Sequence, residues 1–169
     1  MTFQIGEKVV YPTQGIGTVE NISTRCFGGQ FEKFYLLRLL YSPMTVMVPF
    51  SHVDEIGLRK VTRNGELTRV LDFLARGQCK CSHDWKHRFK ENSDKMRVGG
   101  LFQIAEVLKT LLLLQQVKLL SFREKKMLDR ARQMLVTEIS VSRGMTVAQA
   151  TALIEKALAK ALLKLPAAL

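Results

Sequence analysis

From Lys8 to about Val61 the apolar residues come in short runs separated by turn residues. Val9, Val10 and Tyr11 precede Pro12, which has no N–H for a sheet ladder and therefore ends a strand or lies at an edge. Gly15 and Gly17 open a second run, Thr18 to Arg25, in which Val19 and Ile22 are apolar. Gly28-Gly29 reads as a hairpin turn because both residues accept positive φ, and it leads into the β-rich stretch Phe31 to Tyr41. After a further turn at Ser42-Pro43, Met44, Val46 and Val48 alternate with Thr45 and Met47 up to Pro49. The second of these faces is only weakly polar and suits burial against a partner. Short antiparallel strands with no room for crossover helices predict a small, strongly bent sheet or barrel.

The period changes after Arg63. Leu67, Val70, Leu71 and Leu74 recur at helical spacing, and Gly77 is a natural stop. Asp84 to about Val98 reads as a basic helix ended by Gly99-Gly100, and Leu101 to Gln116 as an apolar one built on Ile104, Ala105, Leu108, Leu111 and Leu112. Ser121-Phe122-Arg123-Glu124 has the form of a capping box and starts a long helix. Its apolar stripe is Met127, Leu128, Ala131, Met134, Leu135 and Ile139, with Lys125, Lys126, Arg130 and Arg132 mostly off it. Thr146 caps a last helix that runs to about Leu163, before Pro166. The reading is α+β: a β-domain over residues 1–62, then an all-helical domain of about five helices over residues 63–169.

Charge separates the two halves further. Residues 1–62 hold six basic and five acidic side chains, whereas residues 63–169 hold 20 basic and 10 acidic ones. The second half is thus suited to a polyanion. Nucleic acid fits better than membrane, because no segment has the Trp/Lys-rich amphipathic pattern of an interfacial helix.

Other classes find little support. No apolar run approaches the roughly 18 residues of a membrane span, and the N-terminus lacks a secretory signal, so a cytoplasmic protein is expected. The histidines His52, His83 and His87 sit in no catalytic signature, and no Walker loop or nucleophile elbow is present. No catalytic residue and no cofactor are expected. Cys79-x-Cys81-x-His83 with His87 offers four zinc-ligand side chains, but zinc sites space their pairs more widely and need a second well-formed pair. No metal is expected there.

The most informative segment is Asp84-Trp85-Lys86-His87-Arg88-Phe89-Lys90-Glu91-Asn92-Ser93-Asp94-Lys95-Met96-Arg97. It contains the chain's one tryptophan. Large aromatics usually bury. At a helix start among cations, however, an indole can act as an apolar wedge at a base step while helix amides and basic side chains hold phosphates. The candidate DNA-contacting residues are Trp85, Lys86, His87, Arg88, Lys90, Lys95 and Arg97, and Phe89 is expected to support the helix from the core.

Taken together, the chain resembles the CarD/CdnL family of bacterial RNA polymerase-binding regulators over about Phe3 to Leu163. The β-domain residues that carry the resemblance are Gly6-Glu7-Lys8-Val9-Val10-Tyr11-Pro12, Gly15, Gly17, Val19, Gly29, Tyr35, Val46, Val48-Pro49 and Gly57-Leu58-Arg59. The helical domain adds Trp85, Arg88, Lys90, Lys95, Gly99, Ala105-Glu106-Val107, Leu120-Ser121, Glu124-Lys125, Met127-Leu128, Ala131-Arg132, Leu135 and Glu138. His87 stands where relatives often carry arginine, Phe89 where they carry tyrosine, and Met47 where some carry arginine.

The resemblance implies a Tudor-like (SH3-like) domain that binds the polymerase β subunit, and a helical domain that touches the upstream edge of the promoter bubble. It implies that Trp85 enters the minor groove and stabilises the open complex, while Arg88 and Lys90 hold phosphates. The polymerase contact is expected at Arg25, Met44, Thr45, Val46, Met47 and Pro49, on an exposed strand edge of the nearly neutral β-domain. A monomer with little sequence specificity on DNA is expected. The alternative is a general basic nucleic-acid-binding or nucleoid protein that works without polymerase; a zinc-dependent regulator is a further one.

Overall fold

The structure is a computed structural model and describes residues 2–79 and 84–167. The chain divides into two compact units, residues 1–61 and 62–169, each with its own apolar core.

In the first unit, β1 (Lys8–Tyr11), β2 (Gly15–Phe27), β3 (Gln30–Leu39), β4 (Thr45–Pro49) and β5 (Arg59–Lys60) form one antiparallel sheet in the order β4-β3-β2-β1-β5. This is the small antiparallel sheet expected from the alternation, in keeping with the Tudor-like domain that the resemblance implies, with β4 and β5 as its edges. A register shift between Val19 and Asn21 bulges β2, and a bulge bends the strand that carries it. The expected hairpin joins β2 to β3, with Gly28 at φ 56° and Gly29 at φ 80°, where a side chain would be strained. Tyr35 centres the core: its hydroxyl accepts from the Phe3 amide at 3.1 Å, and its ring stacks on Phe50 at 4.2 Å. A 3-10 turn (Phe50–His52) and the one-turn helix α1 (Val53–Ile56) follow β4 and deliver Val53 and Leu58 into the same core.

Five helices make up the described part of the second unit: α2 (Asn64–Arg76), α3 (Trp85–Val98), α4 (Leu101–Val117), α5 (Phe122–Arg143) and α6 (Val147–Lys160). Leu67, Val70 and Leu74 of α2, Leu128, Leu135 and Ile139 of α5, and Ile154 and Leu158 of α6 bury against α4 and one another. The start of this unit is fixed from within, because the buried Glu138 carboxylate accepts from the Thr62 amide at 2.9 Å and from the Thr62 hydroxyl.

Helix ends refine the sequence reading. Ser121 caps α5 by accepting from the Glu124 amide at 3.2 Å, but Glu124 takes the Ser121 hydroxyl and a guanidinium from α3, and the reciprocal half of the expected box is not formed. The complete capping box lies at α6, between Thr146 and Gln149. Gly77 does end α2, for a reason other than positive φ: at φ −68° its Cβ would stand 2.1 Å from the Phe73 ring. Lys109 of α4 reaches the end of α2, its ammonium donating to Phe73 O at 2.8 Å, which also accepts from the Gly77 amide, and to Gly77 O at 2.7 Å. That lysine is 2% exposed, and burial lowers its pKa from the ordinary lysine value.

Candidate nucleic-acid interface

Helix α3 is mostly polar, and its start is built by Asp84, whose side chain accepts from the Lys86 amide at 3.1 Å. Trp85 is the first helical residue and is 54% exposed, so it is not part of the domain core. Lys86, His87, Lys90 and Arg97 are exposed with it. His87 lies 3.6 Å from Glu91, and Arg97 lies 3.2 Å from Asp94, so two of these side chains face a carboxylate of the same helix. Lys95 is half-buried and paired with Glu106 of α4 at 2.8 Å.

Arg88 departs from the expected phosphate contact. Its side chain is 3% exposed, and Nε lies 3.2 Å from Glu124 Oε2, itself buried at the start of α5. With its guanidinium turned inward, Arg88 holds α3 against α5. Phe89 is half-buried, with the Arg123 guanidinium 4.5 Å above its ring, and is not among the residues packed on the core cluster. What the helix offers to a ligand is therefore Trp85 with Lys86 and Lys90, at the end where helix amides favour anions.

The candidate zinc ligands divide. Cys81 and His83 lie outside the described residues. Cys79 is half-buried, and burial raises its thiol pKa, away from the thiolate a metal requires. Among the described residues no three metal-binding side chains gather, and no helix is long and apolar enough to cross a membrane.

Four of the six β-domain candidates share one surface. Register places Arg25 opposite Glu32, Met47 opposite Leu36, Thr45 opposite Arg38 and Pro49 opposite Phe34. By the two-residue period these all lie on the face opposite Tyr35 and Leu37. Met44 is exposed just before β4. Val46 lies on the other face, where it pairs with Leu37 and packs on the buried core. It is half-buried there, and its backbone lies on the edge strand β4.

Residues 3–62 match the family model described as CarD-like/TRCF RID domain, and residues 69–155 match that of the CarD C-terminal domain. The chain belongs to the CarD/CdnL family. It is 36% identical over 147 residues to YdeB of Bacillus subtilis (strain 168), a candidate transcription factor, covering 87% of this chain and 96% of that one. Among solved structures it is similar to CdnLNt from Myxococcus xanthus, at 41% identity over 36% of this chain and 86% of that one, with a TM-score of 0.32. The protein is a transcription regulator of this family. Sequence reasoning missed Glu124 and Glu106 as the residues that hold α3. Their signal was weak, a carboxylate on a neighbouring helix for each of two cations.

Proposed function

We propose that the β-domain holds the RNA polymerase β subunit while the start of α3 contacts the upstream edge of the promoter bubble, prolonging the open complex. The observation that carries this reading is the exposed Trp85, an indole left in water at a helix start between Asp84 and Lys86, with Lys90 near by. Partial unstacking at a bubble edge is stabilised by an inserted apolar side chain. A factor that touches DNA only after melting begins lowers the free energy of the melted state by its interaction with that state. Such contacts are to phosphate and shape, so promoter choice follows ease of melting.

The test is the lifetime of the open complex on one promoter. Trp85→Ala is expected to keep polymerase binding and thermal stability and to shorten that lifetime, with phenylalanine recovering part of it. A folded, polymerase-bound Trp85→Ala protein that stabilises open complexes fully would refute the reading. Arg25→Glu and Met47→Glu are expected to weaken β-subunit binding and leave the DNA affinity of the helical domain unchanged.

The excess of basic residues after residue 62 favours a second reading, a polymerase-independent nucleic-acid-binding protein. Retention of the β subunit after nuclease treatment of a lysate is expected here and is not expected of that rival.

A further inference from the structure

The cationic surface at the start of α3 continues onto α5. Two contacts hold the helix starts together: Arg88 with Glu124 at 3.2 Å, and Arg123 above Phe89 at 4.5 Å. Phe122 is the first residue of α5 and is 67% exposed, with Lys126 one turn on lying 4.7 Å over its ring. Arg123, Lys125 and Lys126 are all exposed. The one carboxylate of this first turn, Glu124, is buried against Arg88, so it subtracts nothing from the field at the surface.

An aromatic ring inside an acid-free collar of cations has the two parts a nucleic-acid single strand needs. Every base has a π-face that stacks on an aromatic side chain, and the phosphates on either side of it seek lysine, arginine and helix amides. Lys126 occupies one face of Phe122 by cation–π attraction, which keeps the ring at the surface and leaves its other side for a base. We propose that Phe122 is a second stacking surface, for a base left unpaired by melting, with Arg123 and Lys126 holding the flanking phosphates. This rests on the promoter reading and extends it from the wedge at Trp85 to the strand beyond. Single-stranded DNA is favoured over an acidic protein segment because an exposed ring for stacking stands in a turn that exposes no acid, beside the α3 start that presents Trp85 and Lys86.

The full-length protein is tested on a fork-junction DNA carrying 2-aminopurine in its unpaired strand, and on the corresponding full duplex. Phe122→Ala is expected to lose about fivefold or more in fork affinity, to lose the stacking quench of 2-aminopurine, and to bind duplex as the wild type does. Its salt slope should be unchanged, while Arg123→Ala should flatten the slope by about one unit. Phe122→Trp should bind the fork normally. Because the ring is exposed, the melting temperature is expected to hold in all three. Equal fork binding by wild type and Phe122→Ala would overturn the proposal, as would an equal loss on fork and duplex. Normal fork binding with weakened retention on polymerase would overturn it in favour of a protein partner. Trp85→Ala separates the two levels: if it shortens open complexes and Phe122→Ala binds forks normally, this inference alone falls. If Trp85→Ala also leaves open complexes unchanged, the promoter reading falls with it.

Discussion

Helices α3 and α4 are neighbours joined through Gly99-Gly100, and they are held in the domain by opposite means. Helix α4 buries Ile104, Ala105, Val107, Leu108, Leu111 and Leu112, so its position is set by apolar area removed from water on several sides. Helix α3 is attached by Arg88 to Glu124, Lys95 to Glu106, Met96 against the core, and Phe89 beneath Arg123. Its remaining surface is left for water and ligands. An apolar stripe would have turned Trp85 inward. Ion pairs fix the helix by two points and leave its first turn exposed.

The largest effects should come from removing what holds each helix. Leu108→Ala on α4 is expected to cost about 3–5 kcal/mol of folding stability, the transfer free energy plus the cavity left behind. Arg88→Ala is expected to cost about as much, roughly 3–5 kcal/mol, because it strands the buried Glu124 carboxylate. The double change Arg88→Met with Glu124→Leu breaks the resemblance between the two: a buried ion pair replaced by apolar side chains of similar size should restore most of the loss. Chemical denaturation of all three decides it. If Arg88→Ala is as stable as the wild type, α3 is not held by this pair.

Next in size is Lys109, a cation inside the apolar helix. Lys109→Met removes the donor to Phe73 O and Gly77 O and is expected to cost about 1–3 kcal/mol at neutral pH, chiefly for the Gly77 carbonyl, since Phe73 O keeps the Gly77 amide. The pH dependence sharpens this. Burial lowers the Lys109 pKa in the folded state, so between its folded and unfolded values the unfolded chain binds more protons. Stability from this group therefore rises with pH across that alkaline window, starting from a penalty fully present below it. The Cys79 thiol, raised by burial, contributes with the opposite sign above the ordinary thiol range, and because the Lys109 charge lowers it, that loss is larger in Lys109→Met and acts in the same direction. The stability difference between wild type and Lys109→Met should accordingly grow in favour of the wild type as pH rises toward the ordinary lysine value, read from thermal melts.

How much of this was legible follows from the same contrast. Features governed by local chemistry are visible along the chain: the Gly28-Gly29 hairpin needs two residues tolerant of positive φ, and Trp85 follows an N-capping aspartate. Features governed by what lies across the core are not. Lys109 in a leucine-rich helix looks like a solvated position, and only the fold brings it to the end of α2. Arg88 looks like its neighbours Lys86 and Lys90, and only Glu124, 36 residues away, turns it inward. Val46 alternates with Met47 on paper as either face could, and its pairing with Leu37 decides which one is core. The two-residue strand β5 is too short to show any alternation.

The smallest effects are expected among the exposed cations of α3, and they grade the surface residue by residue. Each phosphate neutralised by a lysine releases condensed counterions, so loss of one contact flattens the dependence of log affinity on log salt by about one unit. Lys86 and Lys90 are exposed next to Trp85 and should each show close to that full effect on alanine substitution. Lys95 should not. Its ammonium is 2.8 Å from Glu106, a carboxylate of the apolar helix, and much of its charge is already matched before DNA arrives. Lys95→Ala is therefore expected to change the slope by clearly less than Lys90→Ala, while costing a few tenths of a kcal/mol in stability, as partly exposed pairs do. Binding of the full-length protein to one duplex, titrated across salt concentrations for the three alanine variants, gives the comparison. Equal slope changes at Lys90 and Lys95 would mean that the Glu106 pair opens on binding, and that the division between a helix that holds and a helix that presents does not survive contact with DNA.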